Sequence, residues 1–252
     1  MTRIFLAGDS SVTDRPYSQA PMAGWGQALP LFLPTTHVVN AARAGASSRS
    51  FVERGRLLWI EQNLAPGDLF LVSFGLIDHK KQPGRGTSAF TDFQWYLRRY
   101  VHAARDRGAH PVLVTSHDRR VFDPHGNFRR SLGLYPQAVR ELAAACTVPL
   151  IDLNHWTTEW WSRAGLDGTR GVFLSLEPGE HPHYPEGVED RTHLRPAGAI
   201  ECARFVADQL GRKGLLPQER IHHLGDRIPE DALRYLDDHT YAHVTKERVA
   251  GR

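Results

Sequence analysis

Three short segments of the chain carry residue types that could do chemistry. Gly8-Asp9-Ser10-Ser11 follows the apolar run Ile4–Ala7, so Ser10 sits where a strand gives way to a turn. A serine there has an exposed hydroxyl, and its own N–H can face a bound oxyanion. Asn40-Ala-Ala-Arg43-Ala-Gly45-Ala-Ser-Ser is a small-residue loop whose Gly45 lets the backbone approach a ligand closely. Asp190-Arg-Thr-His193 sets a carboxylate three residues before an imidazole, near enough to turn back, orient the ring and stabilise its protonated form. Singly, each has a plainer reading: a simple turn, a loop glycine needing positive φ, and one of 14 histidines.

The elements that must position these segments alternate along the chain. Short apolar runs read as strands at Ile4–Ala7, His37–Asn40, Asp68–Phe74, Pro111–Thr115 and Val148–Leu153. Helical patterns fall between and after them, at Trp25–Leu33 (interrupted by Pro30), Ser50–Asn63, Phe90–Arg107, Tyr135–Cys146 and Pro196–Gly211. Strands alternating with helices imply βαβ units and a parallel sheet. Strands apolar throughout imply helices on both faces. The expectation is a three-layer α/β/α domain over residues 1–212, followed by an extension over 213–252 with a short helix near Pro229–Val244. That extension packs on the domain, covers a site, or joins two subunits as a homodimer. In open parallel sheets, ligands bind at the carboxyl ends of the strands, where the Ser10 and Gly45 segments lie.

Composition narrows the class. With 252 residues, 41% hydrophobic and 23% charged, the chain is an ordinary globular protein. No apolar run approaches the ~18–20 residues of a membrane span. The net charge of +3 comes from arginines spread along the chain, which gives no support to nucleic-acid binding. No glycine-rich phosphate motif points to a nucleotide, and no cofactor is expected. Cys146 and Cys202 read as free thiols inside helical patterns. The N-terminus lacks the ~7–15-residue apolar stretch of a secretion signal, so the expectation is a cytoplasmic protein.

Read in order, GDSSV at 8–12, GWGQAL at 24–29, Asn40…Gly45…SSRSF, PGDLFLVSFG at 66–75, PVLVTS..RR at 111–120, Tyr135-Pro136, PLIDLN at 149–154 and DRTHLRPAGA at 190–199 resemble the SGNH (GDSL-type) hydrolases, near the rhamnogalacturonan acetylesterase branch. The resemblance covers about 210 residues. It implies a flavodoxin-like sheet and metal-free hydrolysis of an acyl ester, most plainly an acetyl ester on a carbohydrate or glycosylated small molecule. By position, Ser10 would be the nucleophile, His193 the general base and Asp190 its orienting partner. The backbone N–H groups of Ser10 and Gly45 would hold the oxyanion. In this family a third donor comes from the asparagine of a Gly-His-Asn-Asp motif. Here the motif reads Gly75-Leu76-Ile77-Asp78, so Ile77 removes that donor, a loss that typically costs about 10²–10³ in kcat. His79, Lys80, Arg43 and His117 are candidates to replace it. The departure also leaves open acyl transfer to a hydroxyl acceptor, or a catalytically silent binding protein.

Other features have competing readings. Asp9, Arg43, Asp78, His79 and His117 flank these motifs and are candidate substrate contacts. Trp156 and Trp160 share a helix face and form either a wall for a sugar or acyl group or ordinary packing, with Trp161 beside them. His181-Pro-His183-Tyr-Pro-Glu186 matches no zinc spacing, because its prolines break helical ligand geometry; no metal is expected. Arg119-Arg120 and Arg129-Arg130 suit an anionic substrate such as a uronate, or a solvated loop.

Overall fold

The computed structural model describes residues 2–80 and 82–249. Five parallel strands form the central sheet in the order β2-β1-β3-β4-β5. They are β1 Ile4–Gly8, β2 Val38–Asn40, β3 Leu69–Ser73, β4 His110–Val114 and β5 Leu150–Ile151. Both faces of the central strands are apolar, and successive side chains divide between two cores. Ile4, Leu6, Leu69, Leu71, Val112 and Val114 point to one. Phe5, Ala7, Phe70, Val72 and Leu113 point to the other. An uninterrupted apolar strand is what a sheet covered on both sides requires.

The first core is closed by α1 Trp25–Ala28, α6 Leu153–Gly168 and α7 Pro196–Arg212, through Trp25, Trp161, Ile200, Val206 and Leu210. The second is closed by α2 Ser48–Glu53, α3 Arg56–Asn63, α4 Gln94–Asp106 and α5 Tyr135–Ala145, through Phe51, Ile60, Leu97, Tyr100 and Leu142. The expected three-layer α/β/α architecture is the one observed.

Four local expectations are corrected. Residues 50–63 form two helices, α2 and α3, separated at Arg54–Gly55. The Trp25–Leu33 helix shrinks to α1 plus a 3-10 turn at Leu29–Leu31, because Pro30 cannot continue it. Residues 173–194, where no element is predicted, hold an antiparallel pair outside the main sheet, β6 Phe173–Leu176 and β7 Val188–Leu194. The last helix, α8 Asp238–Glu247, starts later than expected, at an Asp237 cap that accepts the Thr240 N–H.

The described residues after α7 run back over the domain. Leu216 and Leu233 enter the first core. Leu236 donates its N–H to the Arg15 carbonyl at 3.2 Å and accepts from the Tyr17 N–H at 2.7 Å. Arg248 donates to the Asn40 carbonyl, and Arg56 to the Thr245 carbonyl at 2.7 Å. The tail thus lies against the loop that follows Ser10. Among the described residues no helix is long and apolar enough to cross a membrane.

Candidate active site

Ser10 follows β1, and the path of its turn is forced by close packing. A Cβ on Gly8 would lie 2.5 Å from Val12 Cγ2 and 2.8 Å from the Ser73 carbonyl oxygen, so only glycine lets β1 end there. The Asp9 carbonyl then accepts from Val12 N–H and Thr13 N–H, both at 3.2 Å, and the Asp9 carboxylate from Ser11 N–H at 2.9 Å. The buried Arg15 guanidinium holds the Ser10 carbonyl at 2.8 Å and Gln19 at 3.1 Å.

The loop after β2 is fixed by Asn40. Its amide donates to the Val12 carbonyl at 2.8 Å and to Asp14 at 2.9 Å, tying the two strand-end loops together. Gly45 then turns with φ of 73°, a conformation that costs most side chains free energy. Neither the Ser10 nor the Gly45 N–H has a hydrogen-bond partner among the described residues.

The histidine arrives on β7, through an irregularity in the hairpin. Phe173 pairs with Leu194 and Ser175 with Glu189, so two steps along β6 face five along β7. The residues between these pairs, 190–193, form a bulge, a device that re-aims side chains. Within it the Asp190 carboxylate accepts from Thr192 N–H at 2.7 Å and His193 N–H at 2.9 Å, and from His193 Nδ1 at 2.6 Å. A carboxylate only accepts, so Nδ1 carries the proton, and Nε2 accepts from Ser10 Oγ at 3.1 Å. Burial alone would raise the Asp190 pKa, but the His193 bond and charge and the two N–H groups bring it down to about 2.

Ser10, Gly45, Asp190 and His193 share a cleft of about 570 Å³ with Ile77, Leu76, Met22, Gln19 and Thr192. Four cationic side chains line it: Arg15, Lys80, Arg85 and Arg119. The Arg85 guanidinium hangs over Gly45, where a Cβ would meet its Nη1 at 3.7 Å. Asp190, already committed to His193, is the only acidic side chain among the described lining residues.

Several expected substrate contacts lie elsewhere. Asp9 is fully buried behind Ser10, where burial raises its pKa. Asp78 is also fully buried, accepting from Ser48 N–H at 3.1 Å, Ser48 Oγ at 2.5 Å and Thr87 Oγ1 at 3.2 Å; burial pushes it to about 7. It braces α2 instead of touching the cleft. His117 is sealed against Trp161 and Phe173, with its pKa lowered to about 4 by burial. His79 bonds the Gly75 carbonyl at 3.3 Å and packs on Tyr135. Arg43 lies outside the cleft lining, near Arg56.

The tryptophans form no wall. Trp156 stacks on Phe205 of α7 at 4.7 Å with Trp160 beside it, and Trp161 is core. Of the paired arginines only Arg119 reaches the cleft; Arg120 bonds Thr169 and the Leu166 carbonyl, Arg129 pairs with Asp123, and Arg130 borders a separate depression. His183 bonds the Ala20 carbonyl at 3.1 Å and packs edge-on against Tyr17. Sequence reasoning missed Arg15 and Arg85. Arg15 had only its nearness to Ser10 as a signal, and Arg85 sits in a loop without pattern.

A sequence profile of the GDSL-like lipase/acylhydrolase family matches residues 6–199. The chain is 44% identical over 214 residues to rhamnogalacturonan acetylesterase RhgT of Bacillus subtilis, spanning 84% of this chain and 91% of that protein. It is 35% identical over 221 residues to the probable rhamnogalacturonan acetylesterase YesY of the same organism, spanning 86% and 96%. Among solved structures, protein YxiM of Bacillus subtilis superposes with a TM-score of 0.70 at 28% identity, over 85% of this chain but 58% of that one. The acetylxylan esterase Axe2 of Geobacillus stearothermophilus, at 16% identity, shares the fold with a TM-score of 0.56 over 83% and 94%. Matching the profile across all five strands of the sheet and on through the Asp190–His193 bulge, the chain belongs to the GDSL-like (SGNH) lipase/acylhydrolase family of carboxylic ester hydrolases.

Proposed function

We propose that this protein removes acetyl groups from an acidic carbohydrate by a Ser10–His193–Asp190 mechanism. The observation that carries the proposal is the unbroken hydrogen-bond line from Asp190 through His193 to Ser10 at the floor of a cationic cleft. The names of RhgT and YesY support acetyl esters on rhamnogalacturonan as the first substrates to try.

In this reading Ser10 Oγ attacks the ester carbonyl carbon and its proton passes to His193 Nε2, while Asp190 holds the ring and stabilises the imidazolium. The carbonyl oxygen becomes an oxyanion facing the N–H groups of Ser10 and Gly45. Collapse breaks the bond to the sugar oxygen, which leaves with the His193 proton and acetylates Ser10. Water then attacks the acetyl carbon, His193 takes its proton, and a second collapse releases acetate and returns the proton to Ser10. The cationic side chains of Lys80, Arg85 and Arg119 suit carboxylates on the polymer. Transfer to an acceptor hydroxyl would need a water-excluding apolar pocket, and Trp156 and Trp160 lie away from the cleft.

The test is acetate release from acetylated rhamnogalacturonan and from acetylated xylan by wild type and Ser10→Ala. Turnover should require Ser10 and favour the acidic polymer, with that preference shrinking as salt screens the cleft. Ser10-independent acetate release would overturn the mechanism, and equal use of the neutral polymer would overturn the charge reading.

A further inference from the structure

Resting on that reading, we infer that the Arg119 guanidinium supplies the third hydrogen bond to the oxyanion. A tetrahedral oxyanion has three lone pairs, and the cleft offers two backbone donors for them, from Ser10 and Gly45. The side chain of Ile77, part of the cleft lining and only 9% exposed, has no donor. The remaining donor has to come from a side chain that is held in place, because a donor that must be ordered at the moment of reaction contributes little.

Of the candidates drawn from the sequence, His117, His79 and Arg43 are excluded by position. His117 is sealed in the core, and the other two do not line the cleft. That leaves four cations. Arg15 is spent on the Ser10 carbonyl and Gln19. Lys80 and Arg85 line the cleft on the loop after Asp78, with no side-chain hydrogen bond to fix either among the described residues.

Arg119 differs. It lies just past the end of β4, half-buried, with Nη2 donating to the Leu76 carbonyl at 3.1 Å. Leu76 immediately precedes Ile77, so the guanidinium is pinned next to the wall that lacks a donor. Its Nε is buried, but its Nη1 makes no hydrogen bond among the described residues and is not buried. One edge of the fork is therefore anchored while another N–H is uncommitted. It lines the same cleft as Ser10, Gly45, Asp190 and His193. A guanidinium fixed by one bond in a half-buried cleft is pre-organised, and a charged donor is roughly twice as strong as a neutral one.

The experiment measures kcat and KM for p-nitrophenyl acetate, a neutral ester with no carboxylate for a cation to read. Wild type, Ser10→Ala, Arg119→Ala and Arg119→Lys are compared, with guanidinium ion added to Arg119→Ala. Arg119→Ala should lose about 10²–10³ in kcat with KM little changed, and added guanidinium should restore part of that loss. Arg119→Lys should fall between, since it keeps the charge but not the fork. Unchanged kcat on this ester in Arg119→Ala overturns the inference, whatever happens to KM on acidic polymers. A loss that guanidinium does not relieve also overturns it, because Arg119 would then act only by holding Leu76. Failure of the underlying reading looks different: wild type itself would then show no Ser10-dependent turnover.

Discussion

The two halves of the proposed catalytic line are built by different means. Ser10 hangs from β1, the strand flanked by β2 and β3, and its turn is pressed between Val12 and the Ser73 carbonyl. His193 and Asp190 ride on a bulge of a two-stranded hairpin outside that sheet, on β7, whose one buried residue is Leu194 at its end. Ser10, the proposed nucleophile, is positioned by core packing. The base is positioned by local hydrogen bonds, plus a bridge from Ala23 N–H to the Leu194 carbonyl at 2.8 Å and another from Arg120 N–H to the Arg191 carbonyl at 2.7 Å. Stability should therefore be lost at different places, and with different reach, in the two halves.

The sharpest way to separate them is Asp190→Asn. It leaves the Ser10 side untouched but removes the acceptor that fixes the His193 tautomer, and kcat should fall by about 10⁴, as for the corresponding change in another serine triad. Steady-state kinetics beside near-ultraviolet circular dichroism checks that the loss comes without a loss of packing. The same carboxylate, with its pKa brought down to about 2, lends stability that is present above the free value of about 3.9 and is lost as pH falls toward 2.

Next is a matched pair of cavities, Leu194→Ala and Leu6→Ala. Each should cost about 2–5 kcal/mol, because both side chains are fully buried. Hydrogen exchange should tell them apart. Leu194→Ala should speed exchange in β6 and β7 while β1 and β3 stay protected, whereas Leu6→Ala should lower protection throughout the sheet. Uniform loss of protection in both variants would break the contrast drawn above.

The smallest effect belongs to Asp78, beneath the nucleophile half. Burial raises its pKa to about 7, so between about pH 4 and pH 7 the folded state binds more protons at this site than the unfolded state does. Its contribution is full at or below pH 4 and declines as pH rises toward 7. The melting temperature of wild type relative to Asp78→Asn should accordingly rise from pH 7 to pH 4. A difference independent of pH would mean that Asp78 titrates as an ordinary carboxylate.

The same division governs what could be read in advance. The Ser10 and Gly45 segments were legible because apolar strands followed by small polar residues have a local signature. The Asp190–His193 spacing was legible too, but as a turn. The strand that carries the pair alternates in burial and contains a bulge, and it pairs with a partner 15 or so residues upstream through a loop of prolines and histidines. Asp78 and His117 read as substrate contacts because motif position does not reveal which way a side chain points at a strand end; both point inward. Trp156 and Trp160 carried the right spacing for a shared helix face, and that face turned out to be the one against α7. Arg15 and Arg119 earn their places through bonds to single carbonyls, of Ser10 and Leu76, which no local pattern encodes.

The tail's grip on the loop after Ser10 has a consequence for how the enzyme is made. Leu236 bonds the Arg15 carbonyl, and Arg15 in turn bonds the carbonyl of Ser10. A ribosome makes Ser10 first, His193 183 residues later, and Leu236, which clamps the loop after Ser10, later still. Domains generally fold as their sequence emerges, but here an early loop is finished by a segment made long after it. A nascent chain stalled between His193 and Leu236 should carry the whole proposed catalytic line and still hold Ser10 loosely, so that esterase activity appears only after Leu236 has joined the fold.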